Sequence, residues 1–228
     1  MTLPTLVACS HGTDSAAGRA VVTTLAKRAA ELVGAPLAET FVDVQHPQVD
    51  EVVAALEGPG VIVPLLLSPG YHTQVDIGRA AAAREDVVAT GTLGPHPLLL
   101  DVLEDRVRAA GLDHSDRVVL AAAGSSRPEA IARVSDVRAE LAARLRVPVT
   151  AGYAYGASPT VADAVAHARG TAGRVIVASY VLAPGHFANL IANAGADVTT
   201  EPVGTDPRVA EIVAERFREG VARLSCTH

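Results

Sequence analysis

Apolar residues recur along this chain in two alternating rhythms. Short, mostly apolar runs at Leu6–Ser10, Pro36–Val42, Val61–Leu67 and Asp86–Gly91 have the length of buried strands. Between them, apolar residues three and four apart give the period of helices over Ser15–Val33, Pro47–Leu56, Asp76–Arg84 and from Pro97 to near Gly111. Gly34 stops the first helix, Gly58-Pro59-Gly60 separates the second from the next strand, and Pro69-Gly70 turns that strand into a corner. Pro47 stands where a proline opens a first helical turn. Strands and helices alternating over links this short predict right-handed βαβ units and a parallel sheet.

The pattern then begins again. Val118–Gly124 echoes Leu6–Gly12 and Ala157–Val161 echoes Gln45–Val49, both at an offset of 112; Tyr180–His186 echoes Leu65–Tyr71 at 115, and Gly204–Pro207 echoes Gly94–Pro97 at 110. Four landmarks in one order at near-constant spacing indicate a duplication. The predicted fold class is α/β: two similar three-layer α/β/α halves, 1–113 and 114–228, each on a parallel sheet, with a cleft between them of the kind that holds ligands.

Composition narrows the function. The chain has 228 residues, is 49% hydrophobic and only 3% aromatic, and carries a formal charge of −6. With no basic cluster, a nucleic-acid partner is excluded, because binding a phosphate backbone requires a basic face. No apolar run is long enough to span a bilayer and no leader stands at the N-terminus, so the expectation is a cytoplasmic monomer or homodimer with no membrane partner. Cys9 falls in a predicted core strand and Cys226 in the tail, which argues against a disulfide.

The duplication separates chemistry from architecture. The first repeat places His11, Asp43 and His72 at the carboxyl ends of three strands, the rim where parallel sheets bind ligands. Their counterparts are Ala123, Tyr155 and Phe187, with His186 one position before the last. A fold that accepts Ala123, Tyr155 and Phe187 does not need the polar trio for its architecture, so one active site is expected, in the first half, with a degenerate copy in the second. Two imidazoles and a carboxylate suit a divalent transition metal, or serve as general bases. His46 and His96 each precede a proline at a helix start and are expected to cap or face solvent. His114 and His167 read as solvent-facing, and Ser225-Cys226-Thr227-His228 as a frayed end.

Leu6–Gly12, Phe41–Pro47, Leu65–His72 with Asp76-Ile77, and Leu93–Pro97 together resemble the class II tetrapyrrole chelatases of the sirohydrochlorin type, in their long two-half form. The likeness covers essentially the whole chain. It implies ATP-independent insertion of Fe2+ or Co2+ into sirohydrochlorin, in siroheme or cobalamin biosynthesis, with the metal as substrate and no permanently bound cofactor. It also implies that His11 and His72 are the facing metal-handling imidazoles. Asp43 stands where relatives often carry Glu and is the third candidate ligand. Sirohydrochlorin is a polycarboxylate, so a locally basic, hydrogen-bonding lining is expected, and Arg79, Arg127, Ser125 and Ser126 are its candidates, joined by Ser10, Ser68, Tyr71 and His186.

Two other readings share features with this one. A non-catalytic carrier of metal or tetrapyrrole would use the same ligands. A histidine phosphatase also opens with a strand followed by His-Gly-Thr, but that family has Arg before the His to clamp phosphate, where this chain has Ser10.

Overall fold

The computed structural model describes residues 3–70, 73–170 and 173–226, with backbone only at Thr73 and Gln74. Each apolar run of the first repeat forms a strand: β1 (Thr5–Ser10), β2 (Leu37–Phe41), β3 (Gly60–Pro64) and β4 (Val87–Ala89). They make a parallel sheet in the order β2-β1-β3-β4. The second repeat matches it with β5 (Arg117–Ala122), β6 (Val149–Tyr153), β7 (Val175–Tyr180) and β8 (Val198–Thr199), in the order β6-β5-β7-β8.

The helices are α1 (Ala16–Val33), α2 (Val49–Ala55), α3 (Gly78–Ala82), α4 (Pro97–Ala109), α5 (Pro128–Leu145), α6 (Val161–Arg169), α7 (His186–Ala192) and α8 (Pro207–Cys226). A π turn over Thr73–Ile77 leads into α3. The ends of α1 follow from local chemistry. The Ser15 hydroxyl accepts the Gly18 amide at 3.2 Å, and Gly34 closes the helix at φ +65, a backbone that favours a residue without Cβ. Helix α2 begins at Val49 rather than at Pro47: the His46-Pro47 peptide is cis, and Gln48 takes the cap position, its amide donating to Glu51 Oε2 at 2.6 Å. The far end of α2 is held by Arg84, whose guanidinium donates to the carbonyls of Val53 (3.2 Å), Leu56 (2.5 Å) and Gly58 (3.3 Å) and pairs with Asp86. Strand β3 ends at Pro64, before its apolar run does; beyond it the Leu65 amide still reaches the Cys9 carbonyl of β1.

Alternation along the strands sorts side chains to two covered faces. Val7, Cys9 and Ile62 pack with Val49 and Val53 of α2, with Ala80 of α3 and with Ile77. The opposite face of the same sheet lies under α1 and α8. Gly220 of α8 sits so close to the sheet that a Cβ there would meet Val61 Cγ1 at 2.3 Å. In the second sheet Val119, Ala121, Val175 and Val177 pack on α6 and on Ile191 of α7, while α4 and α5 cover the other face. Each fully buried Leu or Ile in these layers contributes roughly 1.5–3 kcal/mol, which is what holds the helices to the strands.

The compact units do not coincide with the sequential halves 1–113 and 114–228. One unit comprises residues 1–94 and 205–228, the other residues 95–204. The last helix of each repeat therefore belongs with the other repeat's sheet: α4 packs on β7 and α5, and α8 packs on β3, β4 and α1. Equivalent arginines fasten both helices. Arg106 of α4 donates to the Pro202 carbonyl at 2.5 Å, and Arg216 of α8 donates to the Thr92 carbonyl at 3.0 Å. Helix α4 is further pinned by Asp101, whose carboxylate pairs with Arg144 of α5 at 2.5 Å.

Candidate active site

In the first sheet the chain leaves β1 towards β2 on one side and β3 towards β4 on the other. This reversal falls at the carboxyl ends of β1 and β3, the place where such sheets take ligands. His11 directly follows β1. The pairing of β1 with β2 continues past the strand ends, the Val42 amide donating to the Ser10 carbonyl at 3.0 Å and the Asp43 amide to the His11 carbonyl at 3.1 Å. Two of the three expected site residues, His11 and Asp43, are thus set side by side by backbone alone. The Leu65 amide donates to the Cys9 carbonyl at 2.8 Å and the Leu93 amide to the Leu66 carbonyl at 2.8 Å, carrying the chain after β3 to the same rim. His72 and Tyr71 lie outside the described residues.

Gly12 makes this arrangement possible. Its φ is +90, and a Cβ there would meet the Asp43 carbonyl oxygen at 2.5 Å, so only glycine lets the loop after β1 press against the loop after β2. One side chain then fastens the two loops, and a second bond shapes the loop after β2. Gln45 Oε1 accepts the Thr13 amide at 2.9 Å, and Asp43 Oδ1 accepts the Val44 amide at 2.8 Å, which orients the carboxylate.

Asp76 stands in the π turn that leads into α3. Burial, with the charge of Asp76 adding to it, pushes the Cys9 thiol up to about 12, so the thiol stays protonated. Asp76 also pairs with Arg79 at 3.5 Å, whose side chain is 68% exposed.

The second unit repeats the construction without the polar groups. The Ala154 amide donates to the Ala122 carbonyl and the Tyr155 amide to the Ala123 carbonyl, both at 2.9 Å. Gly124 has φ +95, and a Cβ there would meet the Tyr155 carbonyl oxygen at 1.8 Å. The equivalence of His11 with Ala123 and of Asp43 with Tyr155 is therefore geometric as well as sequential. Tyr155 is 72% exposed, so its ring does not serve the core.

The remaining candidates separate by unit. Ser10 is in the first, 4% exposed, with its carbonyl in the β1–β2 pairing, which makes it the least available of the expected substrate contacts. Ser68 is half-buried at the corner after β3. Ser125, Ser126, Arg127 and His186 are in the second unit. Ser125 Oγ accepts the Arg127 amide at 3.1 Å and so shapes the turn before α5, while Ser126 is exposed and Arg127 half-buried. His186 is the exposed first residue of α7, its ring edge-on to Phe187 at 5.5 Å.

The other histidines take structural or surface places. His96 Nδ1 accepts the Leu98 amide at 3.2 Å and caps α4; His46 lies 3.3 Å from Glu51 at the start of α2. His114 and His167 are exposed, and Cys226 is a free exposed thiol. Among the described residues no three of His, Cys, Asp and Glu gather closely enough to hold a metal, and no helix is long and apolar enough to cross a membrane. One residue beside the rim carries no signal in the sequence except through the duplication: Val44 aligns with Gly156, an apolar residue standing where the duplicate has glycine.

The CbiX family model matches residues 5–110 and again residues 117–220. A curated relative, the chloroplastic sirohydrochlorin ferrochelatase of Arabidopsis thaliana, is 29% identical over 114 residues, covering 45% of this chain and 51% of that protein, so the match spans about half the length of the relative. SirB from Bacillus subtilis with Fe3+ superposes with a TM-score of 0.82 at 18% identity, over 99% of this chain and 98% of that one. The sirohydrochlorin chelatase SirB from Bacillus subtilis subspecies spizizenii in complex with cobalt gives 0.80 at 18% identity, over 97% of each chain. CbiX, described as the terminal enzyme of siroheme biosynthesis in denitrifying bacteria, gives 0.72 at 22% identity, over 94% of this chain and 98% of the other. At these identities the structural likeness establishes the fold.

Proposed function

The chain belongs to the CbiX family, and on that premise we propose that it inserts a divalent metal, Fe2+ or Co2+, into sirohydrochlorin without ATP, on the route to siroheme or cobalamin. The observation that carries this reading is the backbone-locked pair of His11 and Asp43 at the carboxyl rim of the first sheet, set against the same backbone carrying Ala123 and Tyr155 in the second. The relatives solved with Fe3+ and with cobalt support a metal substrate.

Insertion must strip water from the cation, bring it to the pyrrole nitrogens and remove two pyrrole protons. His11, Asp43 and His72 are proposed to hold the partly dehydrated metal. A neutral imidazole binds such a cation and accepts a proton near neutral pH, which an ammonium cannot do. A set of two imidazoles and one carboxylate leaves positions open, so the ion is handed on rather than trapped as in a closed four-ligand cage. The Asp43 carboxylate, which accepts the Val44 amide, is proposed to lower the charge of the cation. Arg79 and Arg127 are proposed to meet substrate carboxylates, with Ser68, Tyr71, Ser125, Ser126 and His186 as further contacts and Ser10 the weakest of them.

The test is to mix metal-free protein with sirohydrochlorin and Co2+ or Fe2+, with no ATP, and follow the absorption spectrum. Multiple turnovers are expected, and His11→Ala should cut the rate at least a hundredfold while its unfolding transition stays within a few degrees of wild type, because Ala123 occupies the equivalent place. Stoichiometric binding without turnover would instead identify a carrier. Full activity in His11→Ala would overturn the site.

A further inference from the structure

We propose that Val44 is a macrocycle contact, its isopropyl group held out beside Asp43 to pack against the face of the bound tetrapyrrole. This deepens the function proposed above and rests on it. Val44 has φ +55, a backbone region that L residues rarely enter and that a β-branched side chain enters least readily. The same turn in the second unit is made with Gly156 at φ +67, so the fold obtains this backbone without a side chain. The valine gains little from packing: the residue is 48% exposed and lies outside the described apolar cluster that holds Val7, Cys9 and Val42.

The surroundings hold that conformation in place. The Val44 amide donates to Asp43 Oδ1 at 2.8 Å, the Gln45 amide to the Asp43 carbonyl at 2.5 Å, and Gln45 Oε1 ties the turn to Thr13. From the other side Gly12 presses close enough that a Cβ on it would meet Val44 Cβ at 3.2 Å. An exposed apolar group, kept in a disfavoured backbone one residue from a carboxylate whose own amide bonds the His11 carbonyl, has the character of a functional device rather than a packing one. A hydrated metal ion has no use for an isopropyl group. The flat apolar face of a tetrapyrrole with charges at its periphery does, and such a ligand lays its centre at the metal and its face on the adjacent wall.

The experiment compares wild type with Val44→Gly and Val44→Asn, both of which suit the left-handed backbone and lack the isopropyl. Four quantities are read: thermal midpoint, affinity for metal-free sirohydrochlorin, affinity for Co2+ alone, and KM with kcat. In both variants the thermal midpoint is expected to hold or rise and Co2+ binding to stay unchanged. Tetrapyrrole affinity should weaken about tenfold, with the loss falling on KM more than on kcat. Unchanged tetrapyrrole affinity and KM in both variants, in a wild type that turns over, overturn the Val44 contact and leave the proposed function standing. A lowered midpoint accompanied by equal losses in metal and tetrapyrrole binding also overturns it, by showing a structural role. A wild type that binds no sirohydrochlorin overturns both.

Discussion

Replacing Gly12 by Ala tests whether the two rim loops are as close as the structure shows. Two effects add. Alanine at φ +90 is disfavoured by about 1–2 kcal/mol, as for any L residue in the left-handed region. The new Cβ would also stand 2.5 Å from the Asp43 carbonyl oxygen, roughly 0.8 Å short of an ordinary C···O contact of about 3.3 Å, and that oxygen belongs to backbone tied at both ends. Overpacking of this kind costs about 1–3 kcal/mol, so the expected total is about 2–5 kcal/mol. Gly34→Ala is the control. Its φ is +65, but nothing lies within 4 Å of its Cβ position, and only the backbone cost of about 1 kcal/mol should appear. Urea unfolding read by circular dichroism separates the two, and at this chain length each kcal/mol moves the thermal midpoint by about 2–4 °C. Chelation rates give the second readout. Shifting the Asp43 backbone by most of an ångström relative to His11 should slow insertion on the order of tenfold to a hundredfold, whereas Gly34→Ala should leave the rate alone. Equal stability losses in the two variants, or a full rate in Gly12→Ala, would refute the contact between the loops.

Arg216→Met removes the bond from α8 to the Thr92 carbonyl and should destabilise the protein by about 1–2 kcal/mol, whereas Arg133→Met, at an exposed position on α5, should stay within about 0.5 kcal/mol in the same unfolding assay. The Arg174 guanidinium beside Asp116 holds that carboxyl below its ordinary value of 3.8, so its contribution is present above that pH and lost as pH falls through the lower folded value. Asp116→Asn lacks this dependence, and the gap in stability between it and wild type should narrow below about pH 4 in acid titrations followed by fluorescence of an extrinsic dye. Cys9 is buried with its thiol pushed up to about 12, while Cys226 is exposed; thiol reagents at neutral pH should therefore label one cysteine in the native protein and two after denaturation, and fast labelling of Cys9 would contradict its burial.

Much of the fold was legible because hydrophobic period and turn residues are local signals. The runs ending at Ser10 and Val42 fell within two residues of the true strands, and Ser15 and Gly34 marked both ends of α1. Pro47 misled because a proline before a helix reads the same whether it opens the first turn or stands ahead of the cap in a cis peptide. The pairing of His11 with Asp43 was anticipated from strand ends. What tightens it, Gly12 against the Asp43 carbonyl, is an interatomic distance that no spacing along the chain encodes.

By itself the sequence determined the α/β class, the duplication, and that His11 and Asp43 stand in one repeat where the other has Ala123 and Tyr155, because period, order and residue type are properties of the chain. Tertiary structure decided the partners. Sequence shows that α4 and α8 each have an apolar face to bury, but the duplication offers each of them two similar sheets, and only packing settles that α4 covers β7 and α8 covers β3. It also decided that Val44 must hold a left-handed turn in the open, since that conformation is held where the Asp43–Gln45 turn meets Gly12 and Thr13 from a distant part of the chain.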